Sequence, residues 1–481
     1  MVRAFRLTTL AAPLALAAAC ATNPVTGKSQ LSLISESQEI QMGKEANEQV
    51  KQTIGIYPNP QLEAYVSRLG LAMAARSERP QLPWEFHVVD DPAVNAFAIP
   101  GGFIYVTRGI LAHMNSEAEL VSVLGHEIGH VTAKHSVSQM SNQQLAQIGL
   151  GVGSILSPTV AKYGQVAGAG LQLLFLKYGR DAESQSDALG FRYMVAGGYD
   201  PHAMATMFHT LERVSGGAEA GGLPTFLSTH PDPGNRYATA MRRIDSLPAP
   251  VAASAKTLDR DEFLQVTNGI VFGENPRQGF FRNGLFMHPD LRFQIAFPDG
   301  WQTQNTPGAV LAGSPQQDAI MQLTTGQGTP QQAAQQFFAQ QGIQSSNVQN
   351  TTINGLPTVS GYFQAQMQDG TAVRGIVSFL QYGNSTYQLL GYTPAAKLQQ
   401  YDAVFRRAMG SFTQLTDQAA LNAQPAKVEL VRVPRNMTIA EFQAQYPSSI
   451  PVEHLAIING VEAGGTLKAG TMAKRVVGGV Q

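Results

Sequence analysis

Apolar and polar residues alternate with two different periods along the first half of the chain. A period close to that of an α-helix predicts helices within 35–75 and over 116–140 and 180–197. Residues 85–106 instead contain two runs of β-branched and aromatic residues around a proline–glycine–glycine turn, which predicts two strands. Residues 141–178 are rich in Gly, Ala, Leu and Gln, and we expect further packed helices there.

The second half of the chain differs because its charged residues become scarce. Between residues 301 and 400 the charged residues are Asp318, Asp369, Arg374 and Lys397. Alternating segments such as Ala372–Leu380 predict strands, and helical spacing in Gln331–Gln341 and Ala396–Met409 predicts helices. This pattern predicts a second domain that mixes helices and strands.

The length of 481 residues leaves room for roughly three domains. We expect an α+β fold: a mostly helical domain with a small sheet, then an α/β sandwich-like domain, then a small βααβ module. The predicted boundaries are a signal peptide at 1–19, the first domain at 20–245, a linker at 246–280, the second domain at 281–415, a linker at 416–426 and the third unit at 427–478.

Composition excludes several classes of function. The formal net charge is −1, which disfavours a general electrostatic nucleic-acid binder, so we expect no nucleic-acid partner. A single cysteine excludes an internal disulfide framework and any cysteine-rich zinc or iron–sulfur site. A metal site in this chain would therefore use histidine and carboxylate ligands.

The single cysteine, Cys20, ends a segment typical of export signals. Arg3 and Arg6 precede an apolar stretch, Leu7–Ala19, that is too short to span a bilayer. The segment resembles a bacterial lipoprotein signal, whose cleavage would leave Cys20 as a lipid-modified N-terminus. An ordinary secretory signal with a chance cysteine is the alternative. Both possibilities predict export, and the lipoprotein resemblance, with Ala21 after the cysteine, implies a lipid anchor in the outer membrane.

Residues 121–130, VSVLGHEIGH, contain a pattern with clear chemical meaning. His126 and His130 are four residues apart, so both imidazoles lie on one face of a helix, and Glu127 lies between them. Neutral imidazoles bind zinc well, and a carboxylate at this position can take a proton from water that attacks a carbonyl. The alternative is a helix with two surface histidines, but the apolar flanking residues favour a helix that can hold the ligands rigidly.

A catalytic zinc usually has three protein ligands, so this pattern needs one more. Residues 178–190, YGRDAESQSDALG, place Glu183 and Asp187 four residues apart on one helical face. Glu183 can bind the metal while Asp187 orients a ligand imidazole. Such a pair is more commonly a solvated helix face, but a neighbouring H-E-x-x-H helix makes Glu183 the best candidate for the third ligand.

Taken in order, these motifs resemble those of a known family. VLGHEIGH, RDAESQSDALG and STHPDPGNR are similar to segments of the HtpX and BepA-like gluzincin metallopeptidases, which are related to the CAAX prenyl proteases. NPVTGKSQL and NAFAIPGGFIYVTRGIL resemble the exported branch of that family. The resemblance covers 23–245 and implies a zincin-type peptidase domain. It implies one Zn²⁺ per chain, bound by His126, His130 and Glu183, with Glu127 as general base.

The same resemblance places the segment around His230 over the metal. Pro231 and Pro233 stiffen this segment. His230 can then donate a hydrogen bond to the oxyanion that forms as water attacks the peptide carbonyl, or it can occupy the open metal position in a resting state. A histidine that only packs the loop is the third possibility. We expect resting-state ligation, with Arg236 pairing with a carboxylate of the site or with substrate.

The segment NAFAIPGGFIYV predicts a strand that can bind an extended peptide through backbone hydrogen bonds. The resemblance implies that this strand follows the substrate cleft. We expect Asn95, Ala96, Phe97 and Ala98 to face the substrate. The alternative is an interior strand, whose backbone hydrogen bonds are all made within the sheet.

Two later segments also resemble known folds. Phe297–Trp301, after a predicted strand, is similar to the opening of a PsbP/Mog1-like α/β sandwich. Residues 427–478 follow the order of a LysM module, a small βααβ fold that binds N-acetylglucosamine-containing glycans. Arg435–Thr438 stands where that module usually starts with Gly-Asp-Thr. Contact with peptidoglycan and a scaffold role therefore both remain open for this module.

These features together predict a zinc-dependent endopeptidase, lipid-anchored on the periplasmic side of a bacterial envelope. Its expected substrates are polypeptides, above all misfolded or stalled envelope proteins. Two other classes compete: an assembly factor or chaperone-like lipoprotein whose protease is mostly shut, and a peptidoglycan-tethered binding protein. Glu127 argues against both, because a protein that only binds needs no general base.

Overall fold

The computed structural model describes residues 20–150, 177–214, 226–230, 233–306, 308–367 and 370–479. The chain divides into two compact units, one formed by 1–270 with 428–477 and the other by 271–427 with 478–481. Helices and strands occur in both units, which confirms the α+β class. The predicted signal peptide, 1–19, and most of the helices predicted over 141–178 lie outside the described residues. Within the described part, no helix is both long enough and apolar enough to cross a membrane.

The first unit begins with a hairpin, two helices and a three-stranded sheet. The elements are β1 (Cys20–Thr22), β2 (Ser29–Leu31), α1 (Glu36–Thr53), α2 (Pro60–Ala74), β3 (Glu85–Val89), β4 (Ala96–Ile99) and β5 (Phe103–Thr107). The side chains of Ser35 and Asn59 cap α1 and α2 by accepting backbone N–H groups of the first turn. In the sheet, β5 pairs in parallel with β3 and antiparallel with β4, so β4 lies at an edge among the described strands.

Helices form the rest of the N-terminal part of this unit. They are α3 (Arg108–His113), α4 (Glu117–Thr132), α5 (His135–Leu150), α6 (Arg180–Ala196), α7 (His202–Val214), α8 (Phe226–Thr229), α9 (Pro233–Asp245), α10 (Ala249–Ser254) and α11 (Arg260–Thr267). Helix α4 is buried along its whole length and packs against α2, α6, α7 and β4. Helices α10 and α11 lie in the segment predicted as a linker, 246–280, and α11 packs against α2 and α4.

Specific contacts define both ends of α4. At its start the Ser116 side chain accepts the backbone N–H of Glu119. At its end the buried guanidinium of Arg79 donates to the Val131 carbonyl at 3.0 Å, where a cation also favours the helix dipole. Lys134 follows in the left-handed conformation with φ 59°, which turns the chain sharply into α5. The first residue of α5, His135, is thereby brought back towards α4.

The second unit is built around an antiparallel sheet. Its elements are β6 (Phe280–Arg282), β7 (Leu285–His288), β8 (Phe293–Ala296), β9 (Gln302–Thr306), β10 (Ala309–Gly313), β11 (Ile320–Gly326), α12 (Pro330–Phe338), β12 (Gln344–Ile353), β13 (Leu356–Gln366), β14 (Ala372–Tyr382), β15 (Ser385–Pro394), α13 (Leu398–Gly410), β16 (Thr413–Gln414) and α14 (Gln418–Leu421). The large sheet has the order β12-β13-β14-β15-β11-β10-β9, and a smaller sheet has the order β16-β8-β7-β6. Helices α12 and α13 pack against the central strands β14 and β15.

The chain then returns to the first unit as a small C-terminal module. Its elements are β17 (Lys427–Arg432), β18 (Met437–Thr438), α15 (Ile439–Gln445), α16 (Val452–Ile458), β19 (Thr466–Leu467) and β20 (Met472–Val477). Strand β17 pairs with β20, and β18 pairs with β19. Lys474 on β20 is 2% exposed, and its ammonium donates to the carbonyls of Ala112 at 2.9 Å and Met114 at 2.6 Å. The C-terminal module therefore contacts the short segment that leads into α4.

Candidate metal centre

Small residues allow α4 and α6 to approach each other closely. A Cβ atom added at Gly125 of α4 would lie 3.0 Å from the Cα of Gly190 on α6, and one added at Gly129 would lie 3.0 Å from the Cα of Ser186. Larger side chains at these positions would push the two helices apart. The close packing brings polar side chains of the two helices together in the interior of the unit.

Four buried side chains converge at this contact. The ligand atoms of His126, His130, Glu183 and His230 all lie within 4.8 Å of one another, and this is the group in the described part of the chain that could hold a metal ion. His126 Nε2 lies 3.0 Å from His130 Nε2 and 3.3 Å from His230 Nδ1, which is 3.0 Å from Glu183 Oε1. Ligand atoms about 2.0–2.1 Å from a tetrahedral zinc are roughly 3.3 Å apart. The donors therefore fit a zinc ion in type, number and spacing.

Glu127 lies beside this group without being part of it. Its side chain is fully buried, and neither carboxylate oxygen has a hydrogen-bond partner among the described residues. Its Oε1 atom is 3.6 Å from His230 Nε2. Burial raises the pKa of Glu127, because the charged form is poorly solvated there. A buried carboxylate without a hydrogen-bond partner beside a metal site fits a group that exchanges protons with water or substrate.

Asp187 and Arg236 contact two of the four side chains, His126 and Glu183. Asp187 Oδ1 is 2.9 Å from His126 Nδ1, so His126 can direct Nε2 towards the centre. Arg236 donates to both oxygens of Asp187, at 2.9 and 2.7 Å, and its Nη1 lies 3.2 Å from Glu183 Oε2. Burial opposes ionisation, but the Arg236 charge holds the pKa of Asp187 well below its usual range. Burial likewise opposes ionisation of Glu183, yet His230 and the other histidines hold its pKa far below normal.

Two side chains around His130 lie outside the predicted set. The ring of Tyr178 stacks on His130 with centroids 3.9 Å apart, and His135 Nδ1 lies 2.9 Å from His130 Nδ1. Burial lowers the pKa of both His130 and His135, which favours neutral imidazoles. His135 is five residues after His130 and beyond the end of α4, so helical spacing gives no hint of the contact. Tyr178 precedes α6 and carries no motif of its own.

The remaining predicted site residues lie in or next to two strands, β4 and β1. Asn95 immediately precedes β4, and Ala96, Phe97 and Ala98 belong to it; all four side chains are buried. The Phe97 ring packs on Tyr105 of β5 at a centroid distance of 4.8 Å, so its side chain belongs to the core. Strand β4 packs against α4, which carries the metal centre. Cys20 is the first residue of β1.

Comparison with known proteins gives a consistent picture for the first unit. Peptidase family M48 matches residues 60–244. The beta-barrel assembly-enhancing protease of Yersinia pestis is 31% identical over 241 residues, which cover 48% of this chain and 49% of that protein. The mitochondrial metalloendopeptidase OMA1 of Schizosaccharomyces pombe is 30% identical over 218 residues, or 43% of this chain and 61% of that protein. The chain thus spans about half the length of the first of these relatives.

Solved structures that resemble part of this chain do so only weakly. The solution structure of cyanobacterial PsbP from Synechocystis sp. PCC 6803 aligns with 28% of this chain and 94% of its own length, at 13% identity and a TM-score of 0.24. A likeness at that level carries no argument, so the PsbP/Mog1-like sandwich stays a prediction, as does the LysM-like module. The family match, in contrast, covers the helices that carry His126, His130, Glu183 and Arg236. Residues 60–244 therefore resemble peptidase family M48.

Proposed function

We propose that this protein is a zinc-dependent metalloendopeptidase. The observation that carries the proposal is the convergence of His126, His130, Glu183 and His230 beside the carboxylate of Glu127, which is buried and has no hydrogen-bond partner among the described residues. The match to peptidase family M48 supports it, as do relatives whose names describe proteases and metalloendopeptidases.

Each side chain of the centre has a distinct role in this proposal. His126, His130 and Glu183 would hold a zinc ion, which supplies Lewis-acid chemistry to the scissile carbonyl. Glu127 accepts a proton from the attacking water and returns it to the leaving amine, a task that suits a carboxylate whose pKa is raised. Asp187 keeps His126 in the orientation that ligation needs, and Arg236 balances the negative charge of Asp187 and Glu183.

His230 is proposed to be a fourth ligand in a resting state. Its Nδ1 atom lies 3.0 Å from Glu183 Oε1 and 3.3 Å from His126 Nε2, within the distances expected between ligands of one metal ion. Its Nε2 atom is 3.6 Å from Glu127 Oε1, on the side where the attacking water would be activated. A histidine in this position restrains the enzyme until substrate displaces it.

The proposed substrates are misfolded or stalled polypeptides of the bacterial envelope. The Yersinia pestis relative is named for beta-barrel assembly, which is an envelope process. Since the side chains of Ala96, Phe97 and Ala98 are buried, β4 would contact an extended peptide through its backbone, which tolerates many sequences. A lipid on Cys20 would anchor the enzyme to the outer membrane on its periplasmic side.

A digestion assay tests the enzymatic proposal directly. The purified mature chain is incubated with casein and with an unfolded outer-membrane protein, with and without a zinc chelator, beside the Glu127→Gln variant. We expect cleavage by the wild-type chain, loss of cleavage with chelator and recovery on adding zinc. Cleavage that persists equally in the Glu127→Gln variant would point to a contaminating protease and contradict the proposal.

For the C-terminal module we propose a scaffold role rather than glycan binding. Lys474 is buried against Ala112 and Met114, and Arg260 donates to the carbonyls of Asn115 and Met472, which joins the module to the start of α4. A sedimentation assay with insoluble peptidoglycan separates the two roles. We expect the protein to stay in the supernatant, and co-sedimentation that free N-acetylglucosamine oligomers abolish would favour the glycan-binding role.

A further inference from the structure

We infer that His135 is a positioning residue for the metal centre. It accepts the Nδ1–H group of His130 and so directs the Nε2 lone pair of His130 to the metal. The inference rests on the proposed zinc site, and it concerns a residue that none of the motifs identifies.

The hydrogen-bond partners of His135 determine the direction of this contact. His135 Nε2 lies 2.9 Å from Gln185 Oε1, a carbonyl oxygen that can only accept, so Nε2 carries the hydrogen. A neutral imidazole then has its lone pair on Nδ1, which lies 2.9 Å from His130 Nδ1. His130 must therefore donate from Nδ1, and its own lone pair is on Nε2. That atom is 3.0 Å from His126 Nε2, inside the metal centre.

The backbone brings His135 to this place. Lys134, in the left-handed conformation with φ 59°, reverses the chain just after α4, and His135 is the first residue of α5. Ser186 Oγ lies 3.3 Å from His135 Nδ1, and the next residue towards the N-terminus of α6 is Gln185. His135 thus lies where α4, α5 and α6 meet, and its ring is nearly perpendicular to that of His130, at 74°.

Charge balance explains why the partner of His130 is neutral. Ligating histidines usually donate to a carboxylate or a carbonyl, and Asp187 is that partner for His126. The buried centre already contains the carboxylates of Glu127, Glu183 and Asp187 against the single cation of Arg236. That sum of −2 matches the charge of one Zn²⁺. A fourth carboxylate, placed to accept from His130, would leave a net negative charge in a buried site, which is costly.

Isosteric substitutions test the inference through zinc affinity. Asn places its carbonyl oxygen where histidine has Nδ1. Leu has nearly the same shape as Asn but cannot accept a hydrogen bond. We expect His135→Leu to weaken zinc binding about 10- to 100-fold in a chelator competition assay. His135→Asn should stay within about threefold of wild type by the same principle. His202→Leu, an exposed histidine on α7, is the control and should not change the affinity.

Equal zinc affinities of the Leu variant and wild type would overturn the inference, as would an Asn variant that binds zinc as weakly as the Leu variant.

A second measurement uses the wild-type protein, so it does not depend on whether a variant folds. Long-range ¹H–¹⁵N correlation spectra of the zinc-loaded wild-type protein report the tautomer of each histidine. We expect hydrogen on Nε2 of His135 and on Nδ1 of His130, and the opposite tautomer of His135 would overturn the inference. Neither the zinc affinity nor the tautomer measurement requires peptide cleavage. If the protein showed both expected results but cleaved no peptides, the enzymatic proposal would be wrong and the inference about His135 would stand.

Discussion

At the scale of single residues, each of the three side chains proposed to hold the metal contacts a second polar side chain. Asp187 contacts His126, His135 contacts His130, and Arg236 lies beside Glu183. These partners reduce the number of conformations that the ligands can adopt before metal arrives, which lowers the entropic cost of binding. Glu127 is the exception, because it has no hydrogen-bond partner among the described residues. That difference separates the groups that would bind metal from the group that would move protons.

The first prediction concerns Glu127. Glu127→Gln removes proton transfer but keeps the shape of the side chain, so we expect turnover to fall by about 10²- to 10⁴-fold. Zinc content, measured by atomic absorption, should stay at one ion per chain. His126→Ala is the matched comparison and should lose both zinc and activity. Full chelator-sensitive turnover in Glu127→Gln would show that another group is the base.

The second prediction separates the three possible roles of His230. If His230 is a resting ligand, His230→Ala frees a metal position and should raise turnover per bound zinc. Loss of an oxyanion donor would instead lower turnover by about a hundredfold or more. A histidine that only packs the loop would change the unfolding midpoint and leave turnover per folded molecule nearly normal. Steady-state kinetics, zinc content and thermal unfolding of the variant therefore discriminate among the roles, and unchanged turnover would discard both functional ones.

Sequence spacing predicts those site residues that lie on one helix face and misses those that meet only in the fold. His126 with His130, and Glu183 with Asp187, are each four residues apart, and the structure brings the two pairs together. His135 lies past the end of α4, and its contact depends on the left-handed Lys134 and on Gln185 of another helix. No local period encodes such a contact.

At the scale of elements, the metal centre depends on how closely α4 and α6 approach. Gly190 lies at the closest point: an added Cβ atom would be 2.8 Å from His126 N and 2.9 Å from Gly125 C. These are backbone atoms in the middle of α4, so they cannot move aside without displacing the helix. The separation between the His126–His130 pair and Glu183 is therefore set by residues that bind nothing themselves.

The third prediction tests this dependence. Gly190→Ala should lower the free energy of unfolding by about 1–3 kcal/mol through overpacking. It should also weaken zinc binding, because Glu183 moves away from the histidines together with α6. Gly179→Ala is the control: Gly179 caps the same helix, and an added Cβ atom there meets nothing within 4 Å. Similar zinc affinities for the two variants in a chelator competition assay would contradict this account.

Elements with strong periodicity are predicted better than those with weak composition signals. The helices over 116–140 and 180–197 correspond to α4 with the start of α5 and to α6. The segment SLPAPVAASAK has the proline and alanine content of a linker, yet α10 begins there with Pro248 as its N-cap. Proline is compatible with the first turn of a helix as well as with a linker, so composition alone cannot separate the two.

At the scale of the whole molecule, the fourth prediction concerns the membrane. Cys20→Ser should release the protein from the membrane fraction into the soluble periplasmic fraction, because the predicted anchor is the lipid on that cysteine. Fractionation after a salt wash, followed by immunoblotting, measures the distribution. The control is Lys28→Ser, a substitution at an exposed residue near Cys20 in the sequence. Membrane retention of the Cys20→Ser variant after the salt wash would contradict the lipid-anchor prediction.

The C-terminal module and the start of α4 are more than 300 residues apart in sequence, and no local pattern predicts their contact. The contact is electrostatic as well as steric. Burial lowers the pKa of Lys474 and raises that of Glu119, and the attraction between the two groups opposes both changes. The Lys474 ammonium also donates hydrogen bonds to the carbonyls of Ala112 and Met114, at the C-terminal end of α3. Through these two carbonyls and Glu119, the buried Lys474 attaches the module to the start of α4, the helix that carries two of the metal ligands.

The last prediction is that Lys474→Met destabilises the first unit as a whole. Methionine fills most of the space of the lysine stem, but two carbonyls lose their donor and Glu119 loses one of the two cations, Lys474 and Arg260, that favour its charged form. We expect the free energy of unfolding in guanidinium chloride to fall by about 3 kcal/mol. Lys468→Met, an exposed lysine of the same module, is the control and should have almost no effect. If the module were instead an independent glycan-binding domain, Lys474→Met would leave protease stability and turnover unchanged. The free energy of unfolding and the turnover of this one variant thus separate a module that supports α4 from one that is only linked to the peptidase domain by the chain.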